Sequence, residues 1–400
     1  MAVKYKYLII GGGMAGDAGL NALRKADPNG SMGVIGGERN LPYNRPPLSK
    51  GLWKGDPLES VWRKTDTEGT EFHLGRRALS LDVRAKRVTD DQGRDYGYQK
   101  LLLATGGTPR RLTPGDGRTI YYRTLDDYKW LRSLTESGRR FAVIGAGFIG
   151  WEIAAALAIN SREVVMIFPG KAIGSHIYPA DLATFLSEFY SQKGVEVLAG
   201  ESVAAVEARD EHTLVKTQAG KEYIVDGVVA GLGIEPNVAL AQAAGLQLEN
   251  GGVAVDEYLR TSDPDVYAAG DVASFFNPAL GKRIRAEHED NANTMGRMAG
   301  ENMAAAVQNH QPRSYDYLPF FYSDLFELGY EAVGDLDPRL ETIADWKEPY
   351  REGVVYYLKE GRVRGVLLWN VFGQVDAARS LIAELGPFRA TDLKGRIPGG

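Results

Sequence analysis

The sequence predicts an α/β protein: two Rossmann-like nucleotide-binding units and a smaller α+β domain at the C-terminus. Three observations carry that expectation. A glycine turn joins an apolar run to a run of small residues at Ile9-Ile10-Gly11-Gly12-Gly13-Met14-Ala15-Gly16. The pattern returns at Val143-Ile144-Gly145-Ala146-Gly147-Phe148-Ile149-Gly150. Two further apolar runs break into glycine in corresponding places, Ala104-Thr105-Gly106-Gly107 and Ala230-Gly231-Leu232-Gly233. Such an internal repeat points to two copies of one plan.

In each loop the glycines have separate steric tasks. The first (Gly11, Gly145) permits the turn, the second (Gly13, Gly147) lets a pyrophosphate approach the backbone, and the third (Gly16, Gly150) lets helix pack on strand. The N–H groups and the positive end of the helix, with Met14 and Ala15 among the expected cofactor contacts of the first copy, then face the phosphates. Two dinucleotides on one chain is the arrangement needed by a flavin enzyme reduced by a nicotinamide. FAD and NAD(P)H are therefore the expected cofactors.

Composition narrows the chemistry. The 400 residues are 44% hydrophobic and 25% charged with a formal net charge of −5, a globular balance without a basic stripe for nucleic acid. The chain has no cysteine. A thiol relay beside a flavin, a disulfide and a thiolate metal site are thereby excluded, and no metal is expected. No apolar run approaches the ~20 residues of a membrane span. Met1-Ala2-Val3-Lys4-Tyr5 leads straight into the first apolar run, so no targeting leader and a cytoplasmic location are expected.

The expected domains are an FAD-binding domain at 1–115, an NAD(P)-binding domain at 116–245, the second part of the FAD-binding domain at 246–312, and a C-terminal domain at 313–400 covering the flavin. Pro and Gly gather at 113–119, the first boundary. Within the first domain, residues 31–37 read as the second parallel strand and Glu38 follows it, placed to accept from ribose hydroxyls, with a solvated loop acid as the alternative. The three prolines of residues 41–50 make a stiff segment that suits anion contact by Arg45 and a fixed lysine, Lys50. Residues 72–98 alternate apolar and polar and predict a small antiparallel element, and 100–109 a buried strand. Residues 123–137 predict a helix leading into the second unit. Its second strand, 163–168, ends at Pro169-Gly170-Lys171 with His176 beyond, which leaves NADH against NADPH open. A helix at 181–193, a strand at 195–198 and a hairpin-like stretch at 202–224 follow. Residues 261–271 predict a turn, a strand and Asp271 at its carboxyl end, a candidate for bonding the ribityl chain or a nearby phosphate, with a helix cap as the alternative. A helix at 287–308, an aromatic, strand-rich stretch from 312 and a last helix at 376–385 complete the chain.

The segments Tyr43-Asn44-Arg45-Pro46-Pro47-Leu48-Ser49-Lys50, Ala104-Thr105-Gly106-Gly107-Thr108-Pro109, Gly233-Ile234-Glu235-Pro236-Asn237, Ala269-Gly270-Asp271, Tyr322-Ser323-Asp324-Leu325 and Leu368-Trp369-Asn370 resemble the two-dinucleotide-fold flavoproteins. These form the pyridine nucleotide-disulphide oxidoreductase superfamily, and the likeness is to its apoptosis-inducing-factor and ferredoxin/rubredoxin-reductase branches. The resemblance implies FAD contacts at Glu38, Arg45, Lys50, Arg123, Asp271 and His288, with Lys50 and Glu152 as the catalytic pair beside the isoalloxazine. It implies nicotinamide-nucleotide contacts at Phe148, Ile149, Glu152, Gly233, Glu287, Glu331 and Asn370. Ala78, Thr105, Gly106, Gly270, Lys171 and Tyr322 complete the expected cofactor-contacting set. The chain departs from the pattern at Gly170, where an acid would read the ribose, at Tyr322 in place of tryptophan, and at Glu289 in place of a second histidine. The implied activity is hydride transfer from NADH or NADPH to FAD and onward electron transfer to a ferredoxin, rubredoxin or quinone, with a homodimer allowed. The alternative is a slow-turnover redox sensor. Trp151 has no role on the sequence alone.

Overall fold

The computed structural model describes residues 3–113 and 117–400. Met1, Ala2 and 114–116, with part of the expected boundary at 113–119 and the division at 115/116, lie outside the described residues. The chain groups into two units: Met1–Asn44, Glu59–Thr108 and Glu235–Pro319 form one, and Arg45–Leu58, Pro109–Ile234 and Phe320–Gly400 the other.

In the first unit the strands Thr70–Leu74, Met32–Gly36, Val3–Ile10 and Asp95–Leu103 run parallel in that spatial order, and Val266–Ala268 adds to the last. Ile10 pairs with both Ile35 and Leu103, and Leu103 with Ala268, so these strands end at one level. That shared carboxyl edge is where ligands bind in open α/β sheets. Arg87–Asp90 and Ala78–Asp82 extend the other side antiparallel. The expected antiparallel element at 72–98 is corrected in part: Thr70–Leu74 joins the parallel sheet, pairing with Met32–Gly36. Its alternation arises because it is an edge strand with one covered face, not because its neighbour runs the other way.

The helices Met14–Ala26 and Glu289–Val307 pack together on this sheet. They cross closely: a Cβ on Gly296 would lie 2.2 Å from the Ala15 carbonyl oxygen. The second helix begins two residues later than its pattern predicts, with His288 as the extended residue before it.

In the second unit Val195–Ala199, Glu163–Phe168, Arg140–Ile144, Gly227–Ala230 and Thr119–Ile120 form a parallel sheet in that order. The stretch at 202–224 is a three-stranded antiparallel sheet of Val203–Arg209, His212–Thr217 and Glu222–Val225. The helix expected at 123–137 starts at Leu125, because Thr124 and Asp127 close a reciprocal capping box there. Phe320–Leu325, Leu328–Gly334, Arg362–Trp369, Glu352–Lys359 and Glu341–Glu348 make an antiparallel sheet, with the helix Val375–Ala383 packed on it. Among the described residues no helix is long and apolar enough to cross a membrane.

Candidate functional site: two glycine loops and a lysine paired with a buried glutamate

The two loops are the same backbone mould. Gly11 and Gly145 sit at φ +119° and +102°, where an L side chain is strained. A Cβ on Gly11 would lie 2.0 Å from the Ala104 carbonyl oxygen, and one on Gly145 2.3 Å from that of Gly231. Gly16 and Gly150 are closed in the same way, each with a Cβ position 2.0 Å from the carbonyl of the loop's first glycine. The middle glycines are the opposite case, since nothing lies within 4 Å of a Cβ on Gly13 or Gly147. Both are the extended residue before a helix, with ψ of −170° and −173°, and neither offers a side-chain cap. Each loop is therefore walled behind and open in front, with the start of a helix at the opening, the geometry that suits a pyrophosphate.

Around the first loop, Glu38 stands two residues beyond the strand Met32–Gly36 and accepts a short hydrogen bond from the Tyr43 hydroxyl. Thr105 is fixed by an exchange with Asn237: its hydroxyl donates to the Asn237 carbonyl at 2.9 Å, and the Asn237 amide donates to the Thr105 carbonyl at 2.8 Å. Gly270, at φ +77°, leaves 2.8 Å between its Cβ position and Ala15 Cβ, so the turn carrying Asp271 lies against the start of the loop helix. Desolvation holds the His288 imidazole down to about 4, against the pull of the Asp271 carboxylate. Arg285 donates to the Asp271 carbonyl at 3.2 Å and pairs with Glu287. Ala78 opens the outer strand Ala78–Asp82.

In the second unit the stiff segment forms two short 3-10 turns, Pro46–Ser49 and Gly51–Trp53, with Lys50 between them. The Leu48 carbonyl accepts from the Trp53 indole at 2.8 Å and from the Tyr122 hydroxyl, and Arg45 donates to the Arg123 carbonyl at 2.8 Å. These bonds fix Lys50, whose Nζ lies 2.7 Å from Glu152 Oε2 and 5.2 Å from the centre of the Tyr322 ring. Glu152 is buried in the second turn of the loop helix Phe148–Ile159. Phe148 meets Trp151 and Phe321 at ring-centre distances of 4.9 and 5.7 Å.

The strand Glu163–Phe168 ends before Pro169-Gly170-Lys171, where Lys171 is exposed. A Cβ on Gly170 would have Ser175 Oγ nearest, at 3.3 Å. Gly233, at φ +79°, is open on its Cβ side. Glu331 accepts from the Gly373 N–H at 3.0 Å, and the Asn370 side chain accepts from Gly329 N–H at 2.7 Å and donates to the Arg351 carbonyl at 2.8 Å. The second unit thus brings Lys50, Glu152, Phe148 and Tyr322 together, while the side chains of Glu331 and Asn370 bond to backbone groups.

Two arrangements were not read from sequence. Asp17, buried in the first helix, receives Arg63 Nε at 2.5 Å and the Thr65 hydroxyl at 2.6 Å. Glu152 receives the hydroxyls of Ser49 at 2.6 Å and Ser323 at 2.5 Å in addition to Lys50. Ser49 sits next to Lys50 in the stiff segment and was the one local signal. Ser323 is 171 residues from Glu152; its segment Tyr322-Ser323-Asp324-Leu325 carries the family resemblance, but nothing in it points to the bond with Glu152.

The sequence model of the pyridine nucleotide-disulphide oxidoreductase family matches residues 5–300, which contain both loops. The chain belongs to that family. A second model, the C-terminal domain of mitochondrion-associated apoptosis-inducing factor, matches residues 344–384 of this oxidoreductase. The chain is 34% identical to the mitochondrial apoptosis-inducing factor 1 of Dictyostelium discoideum, over 95% of its own length and 78% of that protein's. It is 33% identical to monodehydroascorbate reductase 3 of Arabidopsis thaliana, over 91% and 89%. The crystal structure of the covalent putidaredoxin reductase–putidaredoxin complex superposes with a TM-score of 0.87 at 28% identity, covering 95% of this chain and 93% of that one. The protein is an FAD-dependent NAD(P)H oxidoreductase. Its two glycine moulds fit the pyrophosphates of those cofactors. A chain without cysteine cannot perform the disulphide chemistry in the family's name.

Proposed function

We propose that this oxidoreductase delivers the electrons of NAD(P)H to a small iron–sulfur carrier of the ferredoxin kind, with rubredoxin and quinone as the related acceptors. The FAD held by the first loop would supply the hydride acceptor for the nicotinamide and the electron donor for the carrier. The observation that carries the reading is the pairing of Lys50 with the buried Glu152 at the second loop helix, in a chain that has no thiol to relay electrons.

In this reading the first loop, Glu38, Asp271 and His288 hold the FAD, and the second loop with Gly233 and Lys171 holds the nicotinamide nucleotide. Lys50 places a cation where negative charge develops, and Glu152 holds that cation in one position. Phe148 closes the nicotinamide position until the nucleotide enters. The protein thereby supplies orientation and charge, and the cofactor the redox chemistry.

A second reading is favoured by the match of residues 344–384 to the apoptosis-inducing-factor C-terminal domain: slow turnover, with the reduced protein itself as the signal. One experiment separates them. Anaerobic titration with NADH and with NADPH is followed by rapid mixing of the reduced protein with a [2Fe–2S] ferredoxin, a rubredoxin and a quinone. Oxidation by the ferredoxin within the turnover time supports the first reading. Slow oxidation by all three, with a change of oligomeric state on reduction, overturns it in favour of the second.

A further inference from the structure

We propose that Ser323, seconded by Ser49 and oriented by Trp151, is a positioning residue for the Lys50 ammonium; this rests on the role given to Lys50 above. Lys50, Ser49 and Ser323 converge on the Glu152 carboxylate within the second unit, and Trp151 bonds to Ser323. Glu152, Ser323, Ser49 and Trp151 are all buried, so each polar atom among them must find its partner inside the protein.

The donor inventory fixes the direction of every bond. An indole N–H can only donate, and Trp151 Nε1 donates to Ser323 Oγ at 2.8 Å. With that lone pair occupied, the single proton of Ser323 goes to Glu152 Oε1, 2.5 Å away. Ser49 donates to Oε2 at 2.6 Å, and Lys50 reaches the same oxygen at 2.7 Å. The carboxylate is thereby held at both ends, and Lys50 is offered one oxygen rather than two. A carboxylate free to turn would accept the ammonium with both oxygens and draw it inward, away from the Tyr322 ring at 5.2 Å. With one N–H engaged, the ammonium keeps two donors for a group outside the protein.

Ser323 lies on the strand Phe320–Leu325, opposite Tyr330, and not on the loop helix. The C-terminal sheet therefore contributes a residue to the acid of the nucleotide loop. Trp151, adjacent to Glu152 in sequence, cannot donate to that carboxylate while its indole is bound to Ser323, and acts through it.

The test compares Ser323→Ala, Ser323→Thr and Lys50→Ala holoproteins by anaerobic rapid-mixing reduction, by the flavin reduction potential measured against a reference dye, and by crystal structures. Ser323→Ala is expected to slow flavin reduction about tenfold, as loss of one bond to a charged group allows. Its nicotinamide affinity should stay within about twofold, its potential should move to a more negative value, and Lys50 Nζ should be displaced toward Glu152. Ser323→Thr, which keeps the hydroxyl, should recover most of the rate and the potential. If Ser323→Ala matches the wild type in rate and potential while Lys50→Ala is slow, the clamp is wrong and the role of Lys50 stands. If Lys50→Ala is itself indistinguishable from the wild type, both fall. Should Ser323→Ala fail to fold, Ser49→Ala carries the same test, with a smaller loss in the same direction supporting the clamp and an unchanged rate and potential overturning it.

Discussion

Both loop helices bury one acid, and the two acids are bolted differently. In the first unit Asp17 meets Arg63, whose fork also donates to Asn44 at 2.7 Å and to Asn293 at 2.9 Å. In the second, Glu152 meets Lys50, which among the described residues adds only the face of Tyr322 to that bond. A guanidinium wired through three nitrogens is a fixed crosslink, whereas an ammonium on a flexible stem holding one oxygen retains donors to offer. The same mould thus carries a fastening with every guanidinium nitrogen engaged in one copy, and in the other a cation held at one carboxylate oxygen with donors to spare. On the proposed reading the glycines seat a phosphate in each copy, and the buried acid of the second helix serves the chemistry as well.

The largest effects come from breaking the mould itself. Gly11→Ala forces a Cβ into the Ala104 carbonyl at a strained φ and should yield protein purified without flavin, read from its visible absorption. Gly145→Ala makes the same collision with Gly231. It should leave the protein yellow while weakening nicotinamide binding by about 100-fold, the equivalent of ~3 kcal/mol of strain and clash. If both variants lose both cofactors, the two loops are not independent sites.

The acids come next. Arg63→Ala leaves Asp17 buried without its cation and should cost about 3 kcal/mol of stability, seen as a lowered Tm with normal reduction kinetics in the protein that remains folded. Lys50→Ala should do the reverse, slowing flavin reduction by tenfold or more with a smaller fall in Tm, because Ser49 and Ser323 still satisfy Glu152. Equal losses of Tm and rate in the two variants would erase the distinction between fastening and catalysis.

What the chain disclosed in advance follows from how strictly a residue is dictated. Both loops were legible because only glycine fits Gly11, Gly16, Gly145 and Gly150 against a carbonyl oxygen. Glu38 was legible by its place after a strand. Lys50 was legible from its stiff proline-rich segment, whereas Glu152 came from resemblance alone, because their 2.7 Å contact joins residues about a hundred positions apart. The Ser323–Trp151 link was not legible, since a serine–indole bond leaves no periodic or spacing signal. Thr70–Leu74 was assigned the wrong partner direction because one covered face produces the same alternation in either kind of sheet.

The strand ends offer a finer comparison. Two residues past the second strand of each unit stand Glu38 and Gly170. An acid there accepts from the ribose 2′-hydroxyl and repels a 2′-phosphate. Gly170→Glu should therefore raise the preference for NADH over NADPH by about tenfold or more, measured as the ratio of kcat/KM values, with the rate of flavin reduction at saturation unchanged. A ratio that does not move would place the ribose away from Gly170.

The smallest expected effect concerns the histidine of the first unit. His288 is held at about 4 in the folded chain against 6.5 when solvated, by desolvation that outweighs Asp271. Between those values the unfolded chain binds a proton that the folded imidazole refuses, so the stability tied to His288 is complete above about pH 6.5 and declines as the pH falls toward 4. At pH 5 the loss is at most about 2 kcal/mol, reduced by solvent at a residue only partly covered. In the second unit desolvation also lowers His176, but that ring lies in the segment after Glu163–Phe168, stacked on Trp151, rather than at a helix start. Flavin-stripped protein should lose Tm between pH 7 and pH 5, and His288→Gln should flatten that slope more than His176→Gln does. A slope equally steep in His288→Gln would show that the imidazole titrates as if in water, and the desolvated pocket beside Asp271 would then have to be redrawn.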